Sequence, residues 1–201
     1  MEAALRFTWR RPNRVPAQLE RRLRDALQLL DAGRHGSAES ALTELLADSE
    51  AEIGPEHPFT ITVIDALGSA CYQQRNFPDA AARHRDAHHR ATRALGPNDP
   101  LTLGAAHNLG SALLLMHEWA EGLPLLLTVL EAKKEALGSD HRETLATAQA
   151  VGSGLFKSGD RQRAALLLDQ AYRTALVAYG SDDPTVVDLR HNLDVVLRNS
   201  R

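Results

Sequence analysis

Residues 53–60 read IGPEHPFT, and nearly the same stretch returns as LGPNDPLT at 95–102, LGSDHRET at 137–144 and YGSDDPTV at 179–186. The four glycines, Gly54, Gly96, Gly138 and Gly180, are evenly spaced, 42 residues apart. Glycine next to proline, flanked by apolar residues, marks a turn. Here it also marks a helix end, because glycine takes the left-handed conformation that closes a helix C-terminus, and Pro55 and Pro97 block continuation. Asp99 and Asp183 read as N-caps, with Pro100 and Pro184 at the first helical position. In the third copy Asp140 and Glu143 have the spacing of a capping box. His57 and His141 read as turn filler. Each copy therefore stops one helix and starts the next.

Between these turns each unit holds two segments whose apolar residues recur at three- and four-residue steps, the helical period. In the second full unit they are LTLGAAHNLGSALLLM (101–116) and AEGLPLLLTVLEAKKEAL (120–137). Short polar or small breaks separate them: QQRNF at 73–77, HEW at 117–119 and SGD at 158–160. The chain thus resolves into helical hairpins at about 17–53, 58–95, 100–137 and 142–179, followed by a C-terminal capping helix at 185–199. Together these form one solenoid over 17–201. Residues 1–16, with Arg6, Arg10, Arg11 and Arg14 around Trp9, do not fit the repeat and read as an N-terminal arm.

Stacking the units exposes columns. One reads Leu67, Leu109, Val151, Leu193; the next reads Gly68, Gly110, Gly152 and is broken by Asp194. Cys71, Leu113, Leu155 and Leu197 follow. In the second helices Ala38, Ala80, Gly122 and Ala164 form a small column, and Leu42, His84, Leu126 and Leu168 a large one. The first helix of the 17–53 hairpin, LERRLRDALQLL, lies about one residue out of phase, which suits an atypical capping repeat.

Composition narrows the function. The 201 residues are 43% hydrophobic and 24% charged, as expected of a folded chain and not a disordered one. Only 4% are aromatic, so Leu, Ala and Val must fill the core. A net charge of −3 argues against a general nucleic-acid binder. The single cysteine, Cys71, cannot form an internal disulfide and falls in a core column, where it acts as a small hydrophobe. No apolar run of about 18 residues exists to cross a membrane, and the first 16 residues lack a signal core of about 7–15 apolar residues. A cytoplasmic location follows by default.

The order apolar-xx-Leu-Gly-xx-apolar, a turn, then Ala-xxx-large-xx-Ala resembles the tetratricopeptide repeat, its roughly 34-residue core extended by the turn region. The turn sequence resembles the 42-residue subclass seen in kinesin light chain and in many bacterial, notably actinobacterial, proteins. The resemblance covers residues 17–199. It implies an all-α fold, a right-handed α–α superhelical solenoid whose concave face is lined by the first helices at positions flanking the Leu–Gly pair. Carried onto this chain, those partner-binding positions are Asp65, Ser69, Tyr72 and Gln73, with Thr62 beside them. Next come His107, Asn108 and Ser111 with Leu114, then Gln149, Ser153 and Lys157 with Phe156, and finally His191, Asn192 and Arg198 with Asp188. Asn108 and Asn192 occupy the place of a backbone-clamping asparagine, which Ala66 and Ala150 lack. The face is not the run of lysines and arginines that grips acidic chaperone tails.

The resemblance implies a non-enzymatic scaffold or adaptor binding a protein or peptide partner, with no nucleic acid, no membrane and no cofactor. Two alternatives stand beside it. One is a sensor of a small ligand or signalling peptide; the other is a self-assembling protein that forms a homodimer through its solenoid ends. His84 and His88, in RHRDAHHR (83–90), share a helix face at a spacing that can hold zinc. Both fall in columns of buried leucine, however, so they are expected inside the hairpin packing, where acid should loosen their unit. No HExxH and no phosphate-binding glycine loop is present. Phe77 and Trp119 share a column and read as hairpin staples.

Overall fold

In the computed structural model, which describes residues 14–198, every repeated turn joins two helices. The order is α1 (Ala17–Asp31), α2 (His35–Glu52), α3 (Pro58–Gln73), α4 (Phe77–Leu95), α5 (Pro100–Leu115), α6 (Trp119–Leu137), α7 (Arg142–Lys157), α8 (Arg161–Tyr179) and α9 (Pro184–Arg198). The described residues contain no strand, and the fold is an all-α repeat solenoid. Most of the 1–16 arm lies outside the described residues.

The IGPEHPFT turn is built atom by atom. Gly96, Gly138 and Gly180 have φ of 94°, 94° and 81° with ψ of 167°, 158° and 167°. Gly54 has φ of 100°. At the three glycines with ψ near 160° the chain leaves the helix extended, through a region open essentially to glycine alone, and not through the left-handed helical cap expected from sequence. Four residues share the N-cap column. Asp99 accepts from the Leu101 N–H at 2.9 Å and Asp183 from the Thr185 N–H at 2.9 Å. His57 Nδ1 accepts from the Phe59 N–H at 3.1 Å, and His141 Nδ1 from the Glu143 N–H at 3.3 Å. The two histidines are therefore caps and not filler, interchangeable with Asp because each offers one acceptor at the same reach. Asp140 does not cap α7 and no capping box forms; His141 is the N-cap, while the Asp140 carbonyl accepts from the Tyr179 hydroxyl at 2.7 Å. The closing threonine braces the turn from its far side. Thr60 and Thr102 donate to the carbonyls of Gly54 and Gly96, both at 2.8 Å.

A second turn closes each hairpin internally. Gly33, Arg75, His117 and Gly159, again 42 residues apart, all have positive φ, from 62° to 99°. The residue after each donates back to the carbonyl five residues before it: Arg34 to Leu29, Asn76 to Cys71, Glu118 to Leu113 and Asp160 to Leu155, at 2.8–3.0 Å. These are Schellman closures.

The glycine column sets how closely paired helices approach. A Cβ added at Gly110 would lie 2.5 Å from Leu126 Cγ, and one at Gly152 would lie 2.6 Å from Leu168 Cγ. At Gly68 the intruding atoms belong to the His84 ring, at 2.7–2.9 Å. Gly110→Ala is expected to be destabilising by up to about 2 kcal/mol. Overpacking of about 1–3 kcal/mol exceeds the roughly 1 kcal/mol that alanine gains in helix propensity. Urea titration reads the sign, and a stabilised variant would contradict the close-approach account.

The ends follow from the same columns. α1 is in phase, not shifted: buried Ala26 occupies the column of Gly68, and buried Leu19 that of Ile61. The mismatch in sequence arises because Val63, Ala66, Leu67 and Ala70, which pack on the preceding hairpin, correspond in α1 to Arg21, Arg24, Asp25 and Gln28, which are exposed. At α9 Asp194 replaces the glycine, so a further second helix could not approach as α4, α6 and α8 do. α9 is tied down by Arg142, which donates to Asp183 and Thr185 at 2.8 Å each and lies 4.3 Å above the Tyr179 ring.

The backbones of first helices in neighbouring units approach one another closely (α1–α3, α3–α5, α5–α7, α7–α9), whereas those of α2, α4, α6 and α8 stand farther apart, bridged by long side chains such as Arg90 to Glu50 and Arg85 to Glu121. The row with the closer spacing is the inner side of a curved stack.

A candidate partner-binding groove on the first helices

The inner row of α3 and α5 carries a solvent-open cavity of about 250 Å³, lined by Ser69, Tyr72, Gln73, His84, His107, Asn108 and Ser111. Six of these seven are positions marked from sequence. They converge because each recurs just beside the Leu–Gly pair that fixes its helix against the stack. The seventh, His84, was expected to be packed away; it is 1% exposed, yet its ring reaches the cavity wall through the space left by Gly68. Tyr72 is held edge-to-face by Phe77, with ring centroids 5.5 Å apart.

Beside the cavity Asp65 organises both walls. Its Oδ1 accepts from His84 Nδ1 at 2.6 Å, and Asn108 Nδ2 donates to Oδ1 and Oδ2 at 3.2 and 3.0 Å. Three helices, α3, α4 and α5, are joined by one carboxylate. One Asn108 amide N–H is thus engaged within the chain, which leaves its carbonyl and its second N–H able to meet a ligand. His84 is not buried alone, since an anionic acceptor sits on its ring. His88 turns elsewhere, its Nδ1 lying 3.4 Å from the Thr102 carbonyl. The two imidazoles serve different neighbours, and among the described residues no three His, Cys, Asp or Glu side chains gather as a metal site.

A second relay runs from α5 to α7. Thr147 donates its single hydroxyl proton to the Glu143 carbonyl at 2.9 Å, so His107 Nδ1, 3.1 Å from the same oxygen, must be the donor to it. His107 Nε2 is then an acceptor. Burial, aided by nearby Lys133, lowers the His107 pKa to about 4. Lys133 is itself buried, at a column otherwise held by Ser49, Ala91 and Ala175, and pairs with Glu143 at 3.1 Å.

The remaining sequence-marked residues extend the row without entering the cavity. On α7, Gln149 and Ser153 are half-buried and Lys157 is exposed; on α9, Asn192 is half-buried and His191 and Arg198 are exposed. Leu114 does not face the groove: it is buried against Gly154, where a Cβ would lie 2.6 Å from its methyl. Cys71 is buried, and desolvation pushes its thiol pKa up.

The tetratricopeptide repeat model matches residues 26–93 and 101–176, most of the chain. Among solved structures, the chain is similar to a Podosopora anserina protein described as a kinesin light chain with nearly identical TPR-like repeats, and to a single-residue variant of that protein. Each shares 20% identity over 94% of this chain and 89% of that one, with TM-scores of 0.81 for the parent and 0.82 for the variant. BtubC (BKLC) from P. vanneervenii aligns at 15% identity over 92% of this chain and 85% of its own, with a TM-score of 0.74. At these identities the likeness establishes the shared fold. No curated protein matches the chain.

Proposed function

The chain belongs to the tetratricopeptide repeat family, and on that premise we propose that it is a non-catalytic interaction module. In this reading the inner row of first helices holds an extended segment of a protein partner. The observation that carries it is the convergence of Ser69, Tyr72, Gln73, His107, Asn108 and Ser111 on one open cavity. They stand on helices locked by the glycine columns, so their polar groups are ordered before binding, which lowers the entropic cost of association. A cavity of about 250 Å³ falls below the roughly 300–1,000 Å³ of small-molecule sites. It suits one side chain of a longer peptide better than a whole small ligand. No described helix is long and apolar enough to cross a membrane.

Cross-linked capture from the host's lysate tests this reading. Wild type is compared with a Gln73→Ala/Ser111→Ala/Lys157→Ala variant shown to melt like it. A partner held by wild type and released by the variant is the expected result. A partner retained equally would place the interface off the inner row.

A further inference from the structure

We propose that the cavity between α3 and α5 takes a single arginine side chain of the bound segment. The inference rests on the inner-row reading above and names the chemistry that the row would select. Most of the polar groups whose protons the geometry fixes present acceptors. The Ser69 hydroxyl donates to its own helix at the Asp65 carbonyl, 3.2 Å away, leaving its lone pairs for a ligand. The Thr147 relay turns His107 Nε2 into an acceptor. Asn108 directs one N–H at Asp65 and keeps its carbonyl beside its second N–H. Asp65 itself is held beside the cavity with 19% of its side chain exposed. His84 donates from Nδ1, and that proton is taken by Asp65.

Among the described residues, no lysine or arginine lines the cavity. Lys133, close enough to act on His107, is paired with Glu143. His107 titrates near 4, so at neutral pH it is no competing cation. A carboxylate or phosphate would meet only the neutral donors of Tyr72, Gln73, Asn108 and Ser111 among the described lining residues, with no lysine or arginine to balance its charge, and an apolar side chain would leave the acceptors unpaired. Arginine fits better than lysine because the acceptors sit on two walls, Ser69 on α3 and His107 on α5. A planar fork with five N–H groups reaches both, while an ammonium is a point charge. The Tyr72 ring adds an aromatic wall of the kind guanidinium groups favour.

The test uses the full chain and Nα-acetyl-arginine amide, with the citrulline analogue as a neutral control of the same shape. Amide and imidazole nitrogen resonances are followed by NMR. Arginine is expected to shift Ser69, Ser111 and His107 Nε2, and to bind about tenfold more tightly than citrulline, the scale of one charge-assisted hydrogen bond. Asp65→Asn should weaken binding by a similar factor. Gln73→Glu, at an exposed lining position that leaves the Asp65 network intact, should tighten it severalfold. Equal binding of citrulline, an inert Gln73→Glu, or no shifts at saturating arginine would each overturn the arginine site. A captured partner that still maps to the inner row under any of those outcomes would leave the broader reading standing.

Discussion

Asp65→Ala lowers stability by about 3 kcal/mol, and adding His84→Leu restores most of the loss. The first effect follows from what the substitution strands. His84 is 1% exposed and bonds Asp65 at 2.6 Å, while Asn108 donates to both carboxylate oxygens. Removing the acceptor leaves a buried imidazole N–H and an amide unpaired, at about 1–3 kcal/mol each. The recovery follows from the column: Leu42, Leu126 and Leu168 fill the equivalent place, and the latter two pack on glycines equivalent to Gly68. Leucine at position 84 needs no partner and enters a space shaped for it. For a chain of this size the single variant should melt roughly 6–12 °C lower. Urea titrations of the four proteins in the double-mutant cycle give the coupling. Strictly additive effects would show that the carboxylate does not hold the imidazole in place.

Acid weakens the fold through His107. Its pKa falls from the ordinary 6.5 to about 4 because burial penalises the charged ring. A depressed histidine means that the unfolded chain binds the proton first, so the stabilisation is complete above pH ~6.5 and lost as pH falls toward 4. The full loss is about 3 kcal/mol at roughly 1.4 kcal/mol per pH unit. His107→Asn keeps an N–H for Thr147 and removes the titration. The stability difference between wild type and variant should therefore slope over pH 6.5–4 and be flat above it. Parallel curves would contradict a buried neutral His107. Sequence placed acid sensitivity at His84 and His88, and His107 joins them as a further source. His88 is still lowered by burial, though its bond to the Thr102 carbonyl opposes the shift.

The period made the helices legible, because a helix stop and a helix start written together four times leave little freedom for what lies between. The Ser69 and Ser111 positions were legible for the same reason, once Leu67 and Gly68 are fixed inward; the Tyr72 column was not, because Leu114 one repeat later packs on Gly154 instead. Other features had no such signal. His57 and His141 act as caps through a ring nitrogen, where pattern reading looks for Asp, Asn, Ser or Thr. Arg75 and His117 adopt positive φ without being glycine, revealed only by sharing a column with Gly33 and Gly159. α1 looked out of phase because its outer face is charged where later units are apolar. The Asp65–His84–Asn108 junction spans 19 and 43 residues, so no local spacing announces it. The buried Lys133 was likewise invisible, since it sits in a second-helix column otherwise held by small residues, and lysine is seldom buried.

The most direct measurement places a photo-crosslinking residue at Gln73 or Ser153 on the inner row, and at Leu166, 66% exposed on α8, on the other row of helices. Each protein is irradiated in the host's lysate and the adducts are compared. One shared adduct is predicted from the two inner positions, with none at Leu166. An adduct formed at Leu166 and missing from Gln73 and Ser153 would contradict the inner-row groove as the partner-binding surface.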